Sequence, residues 1–357
     1  MEKNQTVLGL GLMSGTSLDG VDLALCRFER NPTGWQYDLL AAETERYPDE
    51  WANRLSTAHA LGGRDLMLLD RSYGKWLGQL CLSFIQRQGT SIDIIASHGH
   101  TLFHEPGMGM NWQVGNGNEI AAVTGCTVAC DFRSLDVALG GQGAPLVPIG
   151  DRLLFGSYAA CLNLGGFANI SYEKKGNRMA FDITACNVVF NALAGEHGQP
   201  YDENGQLARS GRINHSLLDA LNNLSQTQGK SLGREWYQQS IGPLIDRKEI
   251  TAADRAATYM RYLVAQLAGS SSEVPAGKIL VTGGGAYNSF LMEELNRMLP
   301  NRVEKGTDEL INFKEAIVFA FLGVLRMHGE VNVLQSVTGG RRDSSSGILI
   351  SGDKKGR

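Results

Sequence analysis

The chain has 357 residues, of which 43% are hydrophobic and 20% are charged, and its formal net charge is -4. This balance is typical of a globular protein, and the length predicts two domains rather than one. The slightly acidic charge, without a long run of Lys or Arg, argues against nucleic acid as a partner.

Two further features concern the compartment in which the protein works. The longest apolar run, Ala316 to Leu325, is about half the ~20 residues that a membrane span needs, and nothing near Met1 has the pattern of a signal peptide. The 6 cysteines are scattered without a C-x-x-C pair, as expected of thiols that are kept reduced. We therefore expect a cytoplasmic protein with no membrane partner.

The first half of the chain begins with a predicted hairpin. Two β-prone stretches, Thr6–Met13 and Val21–Arg27, flank the segment SGTSLDG, and its Asp-Gly step is typical of a hairpin turn. Apolar residues spaced three and four apart then predict helices over Asp49–Leu61 and Leu66–Gln88. The segment IDIIASHG at 92–99 predicts a buried strand that runs into a loop.

The second half repeats the hairpin plan from near Ala159, with a strand, a glycine turn, a strand, a Lys-Gly-Asn turn and a strand. The later segment GKILVTGGGAYNSFLMEELNRML has the order strand, glycine turn, helix, which is typical of an α/β unit. Further helices are predicted over Asn187–Gly195, Ser216–Leu224, Thr251–Ser270 and Glu315–Arg326. The repetition predicts an α/β protein with domains 1–155 and 156–357, in which the last helix can pack back on the first domain.

Glycine turns follow predicted strands at three places, in SGTSLDG, NLGGFAN and TGGGAYNS. Such turns let backbone N–H groups converge on an anion, and their recurrence favours a bound nucleotide, although the first alone could be a plain tight turn. Neither a P-loop nor a GxGxxG pattern is present. The three turns are therefore the expected nucleotide-binding segments.

Carboxylates suited to phosphoryl transfer accompany these turns. The reaction uses Mg²⁺ to bridge phosphate oxygens and, in some enzymes, a carboxylate base near the nucleophile, and Asp19, Asp22 and Asp182 are the candidates. Asp182 ends a predicted strand before a helix, so a helix N-cap is its alternative role. Asp22 alternates with apolar neighbours on a predicted strand, and the alternative is that it faces solvent.

Two further segments carry polar side chains suited to a hydroxylated ligand. The segment SHGHTLFH contains His98, His100 and His104, and we favour a polar substrate wall over the alternative of a zinc site. The segment DFRSLDVALGGQGAPLVP contains Asp131, Arg133 and Gln142, whose planar or forked groups suit a sugar ring or a carboxylate. An irregular connection with an internal ion pair is the alternative for this second segment.

In this order the motifs resemble those of the anhydro-N-acetylmuramic acid kinases, a family of the sugar kinase, Hsp70 and actin superfamily. The resemblance runs from about residue 7 to 350 and rests on GLMSGTSLDGVD, SHGHT, DFRSLDVALGGQGAPLVP, NLGGFANI, GREWY and TGGGAYN. It implies two actin-like (ribonuclease H-like) domains with an interdomain cleft for ATP and sugar. The first two glycine turns would then hold the phosphates and the third the adenosine. The nucleotide-binding residues that the resemblance implies are Gly15, Thr16, Ser17, Leu18, Asp19, Gly20, Val21, Asp22, Gly165, Gly166, Asn169, Gly283, Gly284 and Gly285.

The resemblance also implies the reaction and its participants. Members use ATP, which we expect with Mg²⁺, to open the 1,6-anhydro bridge of anhydro-N-acetylmuramic acid and to phosphorylate O6, so the partner is a small-molecule amino sugar. The catalytic residue would be Asp182, in FDITACN where the family has FDTGPGN. The sugar-binding residues would be His98, Thr101, Asp131, Arg133 and Gln142. Members often form homodimers.

This sequence departs from the family pattern at two places near the expected site. The glycines of FDTGPGN are replaced around Asp182, and His100 stands where many members have Gln. These differences keep two alternatives open, namely a kinase of another amino sugar and an ATP-gated regulatory protein on the same fold. A carboxylate at Asp182 favours an enzyme, because an ATP sensor has no use for a base beside a sugar.

Overall fold

A computed structural model describes residues 5–15, 18–224 and 232–352. The chain divides into two compact units, Met1–Leu154 with Phe313–Arg357, and Phe155–Asn312. The first boundary is close to the expected one, but the end of the chain belongs to the first unit rather than to the second. No helix among the described residues is long and apolar enough to cross a membrane.

The first unit contains a six-stranded sheet in the order β13-β7-β4-β1-β2-β3, and a separate β5-β6 hairpin. Strands β1, β2 and β3 form an antiparallel meander, and β4 and β7 continue the sheet parallel to β1. The strands are β1 (Gln5–Ser14), β2 (Gly20–Asn31), β3 (Gly34–Arg46), β4 (Ile94–Ser97), β5 (His100–Glu105), β6 (Met110–Val114), β7 (Thr127–Cys130) and β13 (Ile348–Ile350).

The second unit contains a five-stranded sheet in the order β10-β9-β8-β11-β12. It repeats the same plan, because β8, β9 and β10 form an antiparallel meander and β11 and β12 run parallel to β8. Its strands are β8 (Ala160–Leu164), β9 (Phe167–Lys174), β10 (Asn177–Ala185), β11 (Ile279–Thr282) and β12 (Val303–Lys305). This shared strand order is ribonuclease H-like, and it confirms the predicted pair of actin-like α/β domains.

Helices connect the strands of both units. Those up to the first boundary are α1 (Asp49–Ser56), α2 (Gly63–Gln88), α3 (Gly117–Thr124), α4 (Ser134–Ala138) and α5 (Pro148–Leu153). Those that follow are α6 (Asn187–Gly195), α7 (Gln206–Ser210), α8 (His215–Asn222), α9 (Arg234–Trp236), α10 (Gly242–Ile245), α11 (Ala252–Ser270), α12 (Ser289–Met298), α13 (Asp308–Met327) and α14 (Gln335–Thr338).

Helix α13 explains why the end of the chain joins the first unit. Its apolar face lies directly on strand β1, where a Cβ added to Gly11 would lie 1.9 Å from the carbonyl oxygen of Ala316. The ring of Phe321 stacks on Phe28 of β2 at 5.3 Å. Strand β13 then pairs with β7 and completes the first sheet. The helix predicted over 315–326 is the C-terminal part of the longer helix α13.

Most predicted elements are present with shifted ends. The hairpin of β1 and β2 and the helices α6 and α11 lie where they were predicted. The helix predicted over 49–61 is wrong in its second half, because α1 ends at Ser56 and a short 3₁₀ turn follows at Ala58–Ala60. The side chain of Thr57 donates a hydrogen bond to the carbonyl of Asn53 and so competes with continuation of the helix.

Candidate active site

The first glycine turn joins β1 to β2, as the sequence predicted. Thr16 and Ser17 of this turn lie outside the described residues. Gly20 is required where β2 meets β3, because an added Cβ would lie 2.4 Å from the carbonyl oxygen of Glu45. Among the expected nucleotide-binding residues, Val21 has its side chain fully in the core, so it cannot contact a ligand through that side chain.

Two carboxylates lie at this turn. Asp22 is half-buried and accepts a hydrogen bond of 2.6 Å from the Thr44 hydroxyl, so it does not simply face solvent. Burial raises the pKa of the Asp22 carboxyl, the Thr44 hydrogen bond lowers it, and the negative charge of Asp19 raises it. The two carboxylates are therefore close enough to repel each other, which makes the pair attractive to a cation.

His98 and Arg133 form one hydrogen-bonded group in the first unit. The Nδ1 of His98 lies 2.9 Å from the carbonyl oxygen of Gly99, so Nδ1 carries the proton and Nε2 is free to accept. Arg133 donates to that Nε2 through Nε at 3.2 Å and through Nη2 at 2.9 Å. Burial, followed by the charge of Arg133, holds the pKa of His98 well below its usual value, so this histidine is neutral.

Arg133 also organises the glycine turn that follows it. Its Nη1 donates a hydrogen bond of 2.6 Å to the carbonyl of Gly143. The fully buried Asp136, which sequence reasoning missed, accepts from the N–H of Gly143 at 2.8 Å and from the hydroxyl of Thr338 at 2.7 Å. The side chain of Gln142 lies exposed between these contacts, where a ligand can reach it.

The remaining sugar-binding candidates differ in their surroundings. Asp131 has a positive φ of 53°, and its Oδ1 accepts from the N–H and the hydroxyl of Ser134, so it holds the start of α4. The Thr101 hydroxyl accepts a hydrogen bond of 3.3 Å from Gln113 across the β5-β6 hairpin. Both side chains therefore have structural partners in addition to any ligand.

The three histidines of SHGHTLFH do not form a zinc site. His98 faces Arg133, His100 lies 3.1 Å from the hydroxyl of Ser14, and the exposed His104 contacts Asn111. Among the described residues no group of three or more His, Cys, Asp or Glu side chains could hold a metal ion. Each of the three histidines therefore has a different hydrogen-bond partner.

Glu315 is a carboxylate that the motif analysis missed. It lies on α13, its side chain keeps access to solvent, and its charge raises the pKa of Arg133 against the effect of burial. Desolvation raises the pKa of Glu315, while the charges of Arg133 and Lys314 lower it and that of Asp22 raises it. Glu315 is therefore close enough to Arg133 and Asp22 for their charges to affect its pKa.

The second glycine turn, Gly165-Gly166, joins β8 to β9 in the second unit. Its carbonyl oxygens accept hydrogen bonds from the N–H groups of Cys186 and Asn187, at 2.8 and 3.1 Å, and so hold the start of α6. The amide of Asn187 returns a hydrogen bond of 3.0 Å to the carbonyl of Leu164. The turn is thus fixed from both sides.

The third glycine turn packs directly on the second. Gly283 has a φ of 80°, and an added Cβ would lie 2.5 Å from the Oδ1 of Asn163. An added Cβ on Gly285 would lie 2.7 Å from the Cβ of Leu164, whereas one on Gly284 would meet nothing closer than 3.6 Å. The structure therefore brings together two turns that are more than 100 residues apart in the sequence.

This geometry predicts different outcomes for neighbouring alanine substitutions. We expect Gly285→Ala to cost about 1–3 kcal/mol of stability and to weaken nucleotide binding, because its Cβ overlaps Leu164. Gly284→Ala is the matched control for packing and should leave the stability near that of the wild type. Thermal unfolding and nucleotide titration check the pair, and equal behaviour of the two variants would contradict the packing described here.

A row of polar side chains crosses the second sheet beside these turns. Asn163 of β8 pairs with Asn169 of β9, and Asn169 pairs with Asp182 of β10. Directly paired residues project from the same face of a sheet, so the three side chains form one polar row. On the other side Thr282 of β11 pairs with Asn163 and extends the row toward the third glycine turn.

Asp182 is half-buried at the end of this row, next to a β-bulge. Its Oδ2 accepts a hydrogen bond of 2.7 Å from the N–H of Leu232. Burial raises the pKa of the Asp182 carboxyl, and the Leu232 hydrogen bond partly offsets the rise. The alternative role as helix N-cap is wrong, since the N-cap of α6 is Cys186 and no side chain of the described residues caps that helix.

Two units with ribonuclease H-like sheets, each with a glycine turn after its first strand, define a protein of the actin-like class. Sequence comparison narrows this class: the model of the family described as "Anhydro-N-acetylmuramic acid kinase" matches residues 7–352. The chain therefore belongs to the anhydro-N-acetylmuramic acid kinase family.

Relatives with that name match over nearly the full length. The one from Shewanella pealeana is 35% identical, with 96% of this chain and 98% of the relative covered. The one from Sulfurovum sp. (strain NBC37-1) is 34% identical, with 95% and 97% covered. Among solved structures, the (R)-2-hydroxyglutaryl-CoA dehydratase component A of Acidaminococcus fermentans has a TM-score of 0.44 at 10% identity, covering 89% of this chain and 97% of that one. The fold assignment rests on the strand order itself.

Proposed function

We propose that this chain is an ATP-dependent kinase that opens the 1,6-anhydro bridge of anhydro-N-acetylmuramic acid and phosphorylates O6. The products are MurNAc 6-phosphate and ADP, and such a reaction serves the recycling of peptidoglycan fragments. Membership of the anhydro-N-acetylmuramic acid kinase family supports this reaction. The match to relatives with that name over nearly the whole chain supports it as well. The structural observation that carries the proposal is the polar row that ends in Asp182, beside two packed glycine turns.

The glycine turns are the proposed ATP site. Turns of this kind present backbone N–H groups to phosphate oxygens. Mg²⁺ usually binds through one or two carboxylates together with substrate phosphates, so the pair Asp19 and Asp22 fits its donor preference. When bound, Mg²⁺ would neutralise phosphate charge. The repulsion between Asp19 and Asp22 gives the pair a reason to accept such a cation.

Asp182 is the proposed general base. Water attacks the anomeric carbon, the bond from that carbon to O6 breaks, and O6 bonds to the γ-phosphorus of ATP as ADP leaves. The proton of the attacking water passes to the Asp182 carboxylate. Oδ2 of this carboxylate is oriented by the Leu232 N–H, and its raised pKa makes it a stronger base than an exposed aspartate.

The sugar is proposed to contact the first unit through His98, Thr101, Asp131, Arg133 and Gln142. The neutral His98 and the Arg133 guanidinium form a fixed polar pair, and Gln142 offers an exposed amide beside it. Such planar donors suit the carboxylate and hydroxyl groups of an acidic amino sugar. A further carboxylate, on α13, lies near the guanidinium.

We expect Arg133→Ala to raise the KM for the sugar about tenfold or more, while the affinity for ATP stays similar. The variant removes the guanidinium and also frees His98 and the carbonyl of Gly143. Steady-state kinetics with each substrate varied checks this, and thermal unfolding serves as the control for folding. An equal loss of affinity for both substrates would show that Arg133 acts by holding the fold.

The substrate is tested by comparing sugars. Turnover with anhydro-N-acetylmuramic acid should exceed turnover with N-acetylglucosamine and with N-acetylmuramic acid. The opposite order would favour the alternative kinase of another amino sugar, which the FDITACN segment motivates. ATP binding without turnover of any sugar would favour the regulatory alternative.

The proposed place of action is the cytoplasm, where ATP is available. The 6 cysteines are scattered in the sequence without a C-x-x-C pair, and this pattern supports a reducing compartment.

A further inference from the structure

A chain of buried hydroxyl groups ends directly at the first glycine turn. The Tyr73 hydroxyl lies 2.5 Å from that of Tyr47, which lies 2.6 Å from the hydroxyl of Ser14. Ser14 in turn lies 3.1 Å from the Nδ1 of His100. The four residues come from α2, the segment after β3, the end of β1 and the start of β5.

All four side chains are buried. Tyr73 is 0% exposed, Ser14 3%, His100 4% and Tyr47 9%. The tyrosine rings are held by a tryptophan, since Trp76 stacks on Tyr47 at 5.5 Å and on Tyr73 at 5.7 Å. The hydroxyl positions are thus set by rings that have little freedom to move.

The hydroxyl protons can be assigned to the links of the hydrogen-bond chain in one consistent direction. Three links join the four groups, and the three hydroxyls supply one proton each. Every link is satisfied if Tyr73 donates to Tyr47, Tyr47 to Ser14, and Ser14 to the Nδ1 of His100.

We propose that Tyr73, Tyr47 and His100 are positioning residues that fix Ser14, and with it the first phosphate turn, through this directed hydrogen-bond chain. Ser14 immediately precedes Gly15, so a fixed Ser14 hydroxyl fixes the start of the turn. The same direction leaves the proton of His100 on Nε2. This inference rests on the proposed function, because it assumes that the turn binds phosphate.

The position of the chain supports this role. Tyr47 lies near enough to Asp19 and Asp22 for both carboxylates to raise its pKa. Burial lowers the pKa of His100 to about 4, so the ring is neutral at physiological pH and its Nδ1 can accept. The hydroxyl chain therefore lies within the electrostatic reach of the carboxylates that are proposed to hold Mg²⁺.

The first test reads the tautomer of His100 without using activity. Long-range ¹H–¹⁵N spectra distinguish protonated from unprotonated ring nitrogens, and His100→Gln assigns the signals among the 7 histidines. We expect the proton on Nε2 in the wild type and a mixed tautomer in Ser14→Ala. A proton on Nδ1 in the wild type would overturn the proposed direction.

The second test measures binding of an ATP analogue with Mg²⁺ by calorimetry. We expect Tyr47→Phe to weaken binding about tenfold, because the start of the turn loses its support, and Tyr73→Phe to have a smaller effect. Tyr158→Phe is the matched control: it removes a hydroxyl hydrogen bond of 2.6 Å to Glu304 in the second unit and should not change binding.

These outcomes separate the inference from the proposed function. Wild-type affinity in a folded Tyr47→Phe variant would overturn the positioning role, whatever sugar the protein uses. A melting temperature that falls equally in Tyr47→Phe and Tyr158→Phe, with weaker binding only in the former, supports it. Absence of sugar phosphorylation by the wild type would overturn the proposed function. The His100 tautomer and the binding of the ATP analogue could still be measured, so both tests of the hydroxyl chain would still decide the inference.

Discussion

Replacement of Asp182 by asparagine is expected to lower kcat by about 10²–10⁴ while ATP and the sugar still bind. The amide keeps the size of the carboxylate and can still accept the Leu232 hydrogen bond, but it cannot take a proton from water. Steady-state kinetics together with separate binding titrations measure this. Near-normal turnover would remove Asp182 from the mechanism.

The Asp182→Asn variant should also differ from the wild type in thermal stability. Because burial raises the pKa of Asp182 above its value in the unfolded chain, ionisation costs more in the folded state. The folding free energy therefore becomes less favourable as the pH rises through that raised pKa, and the neutral Asn removes this cost. We expect the melting temperature of Asp182→Asn at pH 7 to equal or exceed that of the wild type.

A matched control and a pH profile complete the test. Asp202→Asn is the control, because Asp202 is a buried carboxylate in the same unit that accepts from the N–H groups of Leu207 and Ala208. Asn keeps only one of the two acceptor oxygens, so this variant should lose some stability, but the folded protein should retain its kcat because Asp202 takes no part in the proposed chemistry. In the wild type, kcat/KM should fall at low pH as Asp182 takes up a proton, and this limb should be lost in Asp182→Asn.

The largest loss of stability is expected from Lys314→Met. Lys314 and Asp151 form an ion pair of 2.7 Å with side chains only 7% and 6% exposed. Removal of the cation leaves a buried carboxylate, which typically costs about 3–5 kcal/mol. Urea unfolding followed by tryptophan fluorescence measures the loss. The Met also removes the charge that lowers the Glu315 pKa, so activity should be assayed on folded protein.

The double variant Asp151→Leu with Lys314→Met serves as the control. It replaces both charged groups by apolar ones, which is often neutral for stability, so it should recover most of what the single variant loses. A loss below about 1 kcal/mol in Lys314→Met would mean that water reaches the pair. In that case the described burial of the ion pair would be wrong.

The parts of the fold that could be predicted are those determined by local sequence. The β1-β2 hairpin follows from alternating β-prone residues around an Asp-Gly step. Helix α11 begins after the N-cap residue Thr251, whose hydroxyl accepts a hydrogen bond from the N–H of Asp254. Strand β3 was missed although Trp35, Tyr37 and Leu39 alternate with polar residues, because the apolar run 39–42 interrupts this alternation. Its pairing with β2 depends on neighbours that only the folded sheet supplies.

The position of the chain end could not be predicted from local patterns either. Helix α13 is apolar enough to pack anywhere, and room for it on the first sheet comes from the missing side chain at Gly11 of β1. At Gly9 an added Cβ would make an ordinary contact of 3.4 Å with Val324, so these glycines differ in importance. The helix and these glycines are about 300 positions apart in the sequence. A glycine within a strand pattern indicates a close approach of backbone, but it does not identify the approaching segment.

In the candidate site, too, features set by local sequence could be predicted and features that depend on distant segments could not. The three glycine turns and Asp182 could be found because their motifs are continuous in sequence. Asp136, Glu315 and the Tyr73-Tyr47-Ser14 chain could not, because each acts through partners from separate elements. The polar row that ends in Asp182 depends on the register of three strands, which the sequence pattern does not determine.

The most direct test of the central claim is product analysis with ATP, Mg²⁺ and anhydro-N-acetylmuramic acid. Mass spectrometry should find a sugar product heavier by one water and one phosphoryl group, with one ADP formed for each, and Asp182→Asn should form little of either. Formation of ADP without a phosphorylated sugar, or phosphorylation with the anhydro bridge still closed, would contradict the account.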